Sequence, residues 1–436
     1  VFPERNRFKC YGCGKSGDLI DFVRHLKGCN FVEAVHEIAS KRNIIIERHD
    51  LTEEQLEEHN RKSRLYITLD FASRWFTEQL NDNGNLEALD YLKNRWGDHS
   101  IENWRLGFAS QSIESFLVAA GKEGFLEEAL IEAGLLQKKD DRVSAVFRNR
   151  IMFPLMDKFG RICGFSGRAL EDKEGIPKYK NSQTNEVFQK AKILFGLHQA
   201  ATKTRECQNV YMVEGYADVI RLHENGITNT VGICGTSLTE EHLSLLKSIT
   251  NTITLIGDTD TAGKASVQRS AVMIIKAGLF CKIISLPDGE SKCDPDSFFS
   301  SGDQFTAYES AHRIDYLHHL VKCKAKSNMD PDQQIRLILE VVGLLIHLPD
   351  NSHELYIKDF AKKIPPRKPW SDALQKLTEA RDKIKTDTSL KIKNNDNSSN
   401  QALQELHDFY TIELDRNEKF KDIRIDRVKL IKRLKL

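Results

Sequence analysis

This 436-residue chain has no net charge to speak of: 64 Lys and Arg stand against 63 Asp and Glu. Overall charge therefore excludes neither an acidic nor a basic partner. It has no apolar run long enough to span a bilayer and no signal-like apolar core near its N-terminus. It has no disulfide framework either. Its nine cysteines are scattered and odd in number, a usage that suits a reducing compartment such as the cytosol. No internal repeat stands out. The length predicts two to four domains.

The near-zero total conceals a split. Residues 142–205 carry 13 Lys and Arg against 5 Asp and Glu, whereas residues 206–310 carry 7 against 14. A basic segment followed by an acidic one suits a protein that grips a phosphate backbone with one part and holds divalent metal with the next. Two solvated faces that balance by chance would give the same counts.

From residue 209 to 310, apolar strand-like runs alternate with helical ones: "NVYMVEG", "YADVIRLHENG", "TNTVGICG", "TEEHLSLLKSI", "NTITLIGD", "TAGKASVQRSAVMIIKAG" and "FCKIISLP". Such alternation predicts βαβ units, a parallel sheet and an α/β fold class. Ligands of such sheets sit at the strand C-terminal ends. Three of those ends carry acids. Glu214 closes one strand and Asp218 follows a helical turn later. Asp258 and Asp260 close another, and Asp294 and Asp296 follow the last. Residues i and i+2 of an extended chain point the same way, and two close carboxylates repel unless a cation lies between them. Oxygen-only ligands favour magnesium, and the set suits a one- or two-metal site for phosphoryl transfer. Asp258 or Asp260 is equally placed to cap the helix that follows.

The ordered motifs "VEGYADV", "GICGTSLT", "GDTDTAG" and "LPDGESKCDPDSF" resemble the TOPRIM core of bacterial DnaG-type primases. The likeness continues upstream through "VFRNRIMFPLMDKFGRICGFSGRAL", "PKYKNSQTNEVFQKAKILFGL", "YLKNRWGDHSIENWRLGFA" and "KCYGCGKSGDLIDFV", and so covers roughly residues 1–310. It implies a DNA-templated RNA polymerase that makes short primers on single-stranded DNA from ribonucleoside triphosphates, using Mg2+ or Mn2+. By motif, Glu214, Asp258 and Asp260 match the catalytic acids, and Asp218, Asp294 and Asp296 the further metal acids. Arg148, Arg150, Arg168, Lys178, Tyr179, Lys180, Asn181 and Lys190 match the surface for template and nucleotide. Tyr179, between two lysines, is expected to stack on a base rather than fill the core. In this chain Thr261 stands where the family has a basic residue, and the acidic loop carries three additional residues, Ser291 to Cys293.

Cys10 and Cys13 form a C-x-x-C pair, half of a four-ligand zinc site. In the family a Cys and a His upstream complete the ribbon. Only nine residues precede Cys10 here, with neither type among them, so zinc is expected only if further upstream ligands exist. The implied organisation is a partial CHC2-type ribbon and helix (1–48), a mixed α/β basic subdomain (49–205), the TOPRIM catalytic domain (206–310), a helical subdomain (311–385), a linker (386–400) and a helical tail (401–436). The resemblance also implies a replicative helicase as partner, and the divergent C-terminus suits a mobile-element primase. Two rival readings share these acids: another TOPRIM metal-dependent enzyme such as a nuclease, and a non-catalytic module that binds single-stranded DNA or a helicase. The basic "FRNR", "SGR" and "PKYKNS" segments argue against the first, and the intact acid set against the second.

Overall fold

The computed structural model describes residues 53–140, 142–171, 174–235, 237–287, 293–326, 328–364 and 367–379, together with 8–9, 16–27, 34–35, 38 and 382. The chain divides into two compact units, Asp50–Trp370 and a second formed by Val1–His49 with Ser371–Leu436. In the second unit, β1 (Phe8–Lys9) pairs antiparallel with β2 (Ser16–Gly17), and the helix Leu19–Lys27 follows. Phe8 meets Phe22 edge-on, with ring centroids 5.2 Å apart. Cys10, Cys13, the linker and the helical tail lie outside the described residues.

The larger unit opens with the helix Glu53–Leu80, then Leu86–Arg95. A four-stranded antiparallel sheet follows in the order β3 (Gly107–Ala109), β6 (Arg150–Met156), β7 (Ile162–Ala169) and β8 (Tyr179–Asn181). The strands β4 (Leu136–Lys139) and β5 (Arg142–Ala145) form a separate hairpin. A tight turn at Asp157–Gly160 joins β6 to β7. Asp157 and Gly160 close it by a backbone hydrogen bond of 3.0 Å, and Gly160 takes φ +82°, which a side chain would resist. Alternate residues of β6 serve opposite faces. Met152 joins Trp75, Phe76 and Phe165 beneath the long helix, while Ile151, Phe153 and Leu155 enter a second core.

That second core reaches into the parallel sheet. Its five strands run in the order β10 (Thr230–Gly232), β9 (Val210–Val213), β11 (Thr252–Gly257), β12 (Phe280–Ser285) and β13 (Arg313–Asp315), with only β13 antiparallel. Strands covered on both faces read as continuous apolar runs, which is why these four were visible in sequence. One cluster of buried side chains runs from Leu80, Trp96 and Phe153 to Tyr216, Ile256, Phe299 and Phe305. The region 311–385, expected to be a helical subdomain, contributes the short edge strand β13 before the helices Tyr316–Lys324, Pro331–Leu345 and Asp350–Lys363. Among the described residues no helix is long and apolar enough to cross a membrane.

His223 sits at the seam, edge-on to Trp104 at 4.9 Å, with Nε2 2.9 Å from the Thr230 carbonyl. Burial lowers its pKa from the ordinary 6.5 to about 4, and the Thr230 carbonyl only partly opposes this. The folded state therefore keeps the ring neutral where the unfolded chain would protonate it. The stabilisation is complete above pH 6.5 and is lost as pH falls towards 4, by at most about 3 kcal/mol. Urea unfolding at pH 7 and pH 5 should show the drop, and His223→Gln should flatten it.

Candidate active site

β9, β11 and β12 are hydrogen-bonded neighbours in parallel, with Leu255 opposite Met212 and Gly257 opposite Ser285. Their C-terminal ends therefore form one edge. Glu214 is the first residue beyond β9, and Asp258 the first beyond β11. Asp294 and Asp296 follow the loop after β12.

Asp218 ties this edge together. Only 6% exposed, it accepts the Gly215 N–H at 2.9 Å through Oδ2 and the Asp296 N–H at 3.0 Å through Oδ1. One buried carboxylate thus anchors the loop that carries Glu214 and the loop that carries Asp294. Burial is the first cause that pushes its pKa up to about 7, and the charges of Asp294, Asp258 and Asp296 add to it, against the Asp296 N–H. The negative fields of three acids converge on Asp218. A divalent cation among them would reverse that repulsion. Among the described residues no group of three or more His, Cys, Asp or Glu is drawn together closely enough to hold a metal ion. The fit to magnesium or manganese rests on the all-oxygen donor set and on this converging field.

The remaining acids divide by role. Asp260 caps the helix Thr261–Lys276, one oxygen accepting the Gly263 N–H at 2.7 Å, so the capping alternative holds for this residue. Asp294 caps Pro295–Phe298 through the Ser297 N–H at 2.9 Å. Asp296, also expected among the metal ligands, is held by two arginines. Its Oδ2 takes Arg95 Nε at 3.2 Å and Nη2 at 2.5 Å, and its Oδ1 takes Arg221 Nε at 3.3 Å. Arg95 and Arg221 were not singled out from sequence. Arg95 lies in the "YLKNRWGD" motif, but its partner is 201 residues away.

The basic residues expected to face nucleic acid also divide. Arg148 and Lys178 are exposed. Arg150 is not a surface charge: it is 5% exposed and Nη1 donates to the Gly167 and Pro177 carbonyls at 2.8 and 3.0 Å. Asn149, at φ +50°, breaks the extended backbone between the two arginines, so Arg148 lies before β6 and faces out. Arg168 is 9% exposed, lies over the Tyr91 ring at 4.7 Å and donates to the Ala169 carbonyl. Tyr179 packs 5.4 Å from the Tyr216 ring and 6.3 Å from Phe153, and burial pushes its hydroxyl up to about 12. Its expected role as a base-stacking ring gives way to packing. Lys180 donates to the Val146 carbonyl at 2.8 Å, and Asn181 accepts the Tyr216 hydroxyl at 3.0 Å. Lys190 Nζ donates to the Gly235 carbonyl at 2.8 Å, in the loop after β10, whose Cys234 N–H donates to the Glu214 carbonyl at 2.9 Å.

Three family models match the chain. They are a DNA primase catalytic core N-terminal domain over 75–201, a Toprim-like domain over 211–299 and a CHC2 zinc finger over 1–54. The DNA primase of Clostridium acetobutylicum is 33% identical over 372 residues, 83% of this chain and 60% of that protein. The DNA primase of Geobacillus stearothermophilus is 34% identical over 323 residues, 72% of this chain and 53% of that protein. The chain thus spans between about half and three fifths of the length of these curated relatives. Among solved structures, the zinc-binding and RNA polymerase domains of Aquifex aeolicus primase align at TM-score 0.63 and 27% identity, covering 85% of this chain and 88% of that one. A DnaG primase catalytic domain bound to single-stranded DNA aligns at TM-score 0.62 and 29% identity, covering 70% of this chain and all of that one.

Proposed function

This chain belongs to the bacterial DnaG-type primase family, and from that membership we propose that it is a DNA primase, a DNA-templated RNA polymerase of the nucleotidyltransferase type that makes short primers on single-stranded DNA. The observation that carries the reading is the placing of Glu214 and Asp258 at the C-terminal ends of the neighbouring parallel strands β9 and β11, with Asp218 hydrogen-bonded to both Gly215 and Asp296 beside them.

Glu214, Asp258 and Asp260 are the residues that would hold divalent magnesium or manganese, with Asp294 beside them. When bound, the metal supplies neutralisation of the triphosphate and activation of a primer 3′-hydroxyl. The chain's own residues position the reactants. Asp218 fixes the loops bearing Glu214 and Asp294 to one another. The exposed cations Arg148 and Lys178 would take template or nucleotide phosphates, Arg as a fork and Lys as a point charge. Lys190 would add a charge at the acid edge itself. The reaction asks for positioning and charge stabilisation rather than a protein nucleophile. Cys10 and Cys13 would supply two zinc ligands of the CHC2 region. Ribonucleoside triphosphates and a single-stranded DNA template are the proposed substrates. A replicative helicase is the proposed partner, and the bacterial cytosol the place of action.

The test is primer synthesis by the wild-type chain on single-stranded DNA with four ribonucleotides, one labelled. Short RNA products are expected with magnesium or manganese and none with a chelator. Metal-dependent loss of the template without RNA products would favour a nuclease. DNA binding without either activity would favour a binding module.

A further inference from the structure

His242 is fully buried, and neither of its ring nitrogens completes a hydrogen bond with a described residue. A buried imidazole in that condition asks for a reason. It lies on the first turn of the helix Glu240–Lys247, which packs on the 3-10 turn Lys190–Lys192. Burial lowers its pKa below the ordinary value, and the backbones of Lys190 and Ile193 oppose that by favouring the protonated ring. The ring therefore lies near the Lys190 and Ile193 carbonyls, with no completed hydrogen bond to either. The cap of the same helix grips the turn between them: Thr239 Oγ1 donates to the Ala191 carbonyl at 2.6 Å. On its far side the turn sends Lys190 to the Gly235 carbonyl, in a loop whose shape is set by two successive left-handed residues, Cys234 at φ +48° and Gly235 at φ +80°.

We infer that His242 is a positioning residue that seats the Lys190–Lys192 turn from beneath, so that the Lys190 ammonium stands at the acid edge to receive a phosphate oxygen. The phosphate belongs to the template strand or to the incoming nucleotide. The inference rests on the proposed function through the role given there to Lys190. A neutral imidazole offers one N–H, which can serve either carbonyl. Glutamine keeps an N–H donor of similar reach, and alanine keeps none.

The experiment compares wild type, His242→Ala, His242→Gln, Lys190→Ala and the double variant His242→Ala with Lys190→Ala. The readouts are amide exchange across residues 189–193, Kd for a single-stranded oligonucleotide, and KM and kcat for ribonucleotide. His242→Ala should speed exchange about tenfold and raise Kd or KM about 5–20-fold, with kcat within about twofold of wild type. Which constant moves distinguishes strand from nucleotide. His242→Gln should restore both exchange and affinity. In the Lys190→Ala background, His242→Ala should add nothing further to Kd or KM. Unchanged exchange, an equal affinity loss with and without Lys190, or a fall in kcat at constant KM would overturn the inference. A wild type that makes no primers would count against the proposed function, and exchange with oligonucleotide Kd would still decide the role of His242.

Discussion

Asp258→Asn is expected to cut primer synthesis by at least about a thousandfold while leaving the protein as stable as before, or slightly more so. The two effects have one cause. Asp258 is one of the charges that raise the Asp218 pKa to about 7, so the folded state bears the repulsion of an acid cluster. Asparagine keeps the shape and removes a charge. In metal-free buffer the cluster then relaxes, with a gain on the order of 1 kcal/mol, the usual direction when a strained functional group is neutralised. The loss in rate follows from removing an anionic oxygen where a divalent cation is to be held, an effect of several kcal/mol on transition-state charge. The thermal shift gives a second signature: magnesium should raise the wild-type Tm and raise that of Asp258→Asn far less. Primer synthesis above about a tenth of wild type, or a Tm well below it, would remove Asp258 from the metal site.

Gly263→Ala should be nearly as damaging to activity, although alanine is ordinarily the better helix residue. Gly263 sits in the first turn of the helix Thr261–Lys276, its N–H capped by Asp260. A Cβ there would lie 2.6 Å from the Asp258 carbonyl oxygen and 3.0 Å from its Cβ. The nearest obstacle is backbone, so the strand end must move rather than a side chain rotate. A displacement of this kind at a reacting geometry costs about a hundredfold in rate. Overpacking costs about 1–3 kcal/mol in stability. Activity should fall about a hundredfold at temperatures where circular dichroism shows the variant still folded. A variant that retains activity at full stability would mean that the Asp258 loop tolerates the shift, and that its geometry is less demanding than the acid cluster suggests.

The parallel sheet was readable because four of its strands are apolar runs closed by an acid, glycine or proline, and the order of their motifs matched a family. The short strands were not. β3 and β13 have three residues each, too few for any period to show, and both lie among helices. The site was legible in its residue types but only partly in its roles. Arg148 and Arg150 stand in one motif and would share a face if it were extended, and only the left-handed backbone at Asn149 separates the exposed one from the one that holds backbone carbonyls. Asp294 and Asp296 are likewise two residues apart. One caps a short helix, and the other faces Arg95 and Arg221 from elements that sequence spacing does not connect to it. Tyr179 between two lysines had the composition of a nucleic-acid contact, yet its ring fills a gap against Tyr216. His242 carried no signal at all until the Lys190 turn was found above it.

The continuous core from Leu80 to Phe305 bears on how such a chain is inherited. Phe153 of the antiparallel sheet and Tyr216 at the edge of the parallel one lie 5.4 Å apart, and Trp104 stacks on Phe195 at 4.8 Å. Recombination that exchanged only the acid-bearing half would bring a foreign surface against Phe153, Phe188 and Trp96. The incoming segment would need matching volume at each position to avoid cavities. The basic and acidic halves are therefore expected to travel together through gene exchange and to change in concert along their shared face.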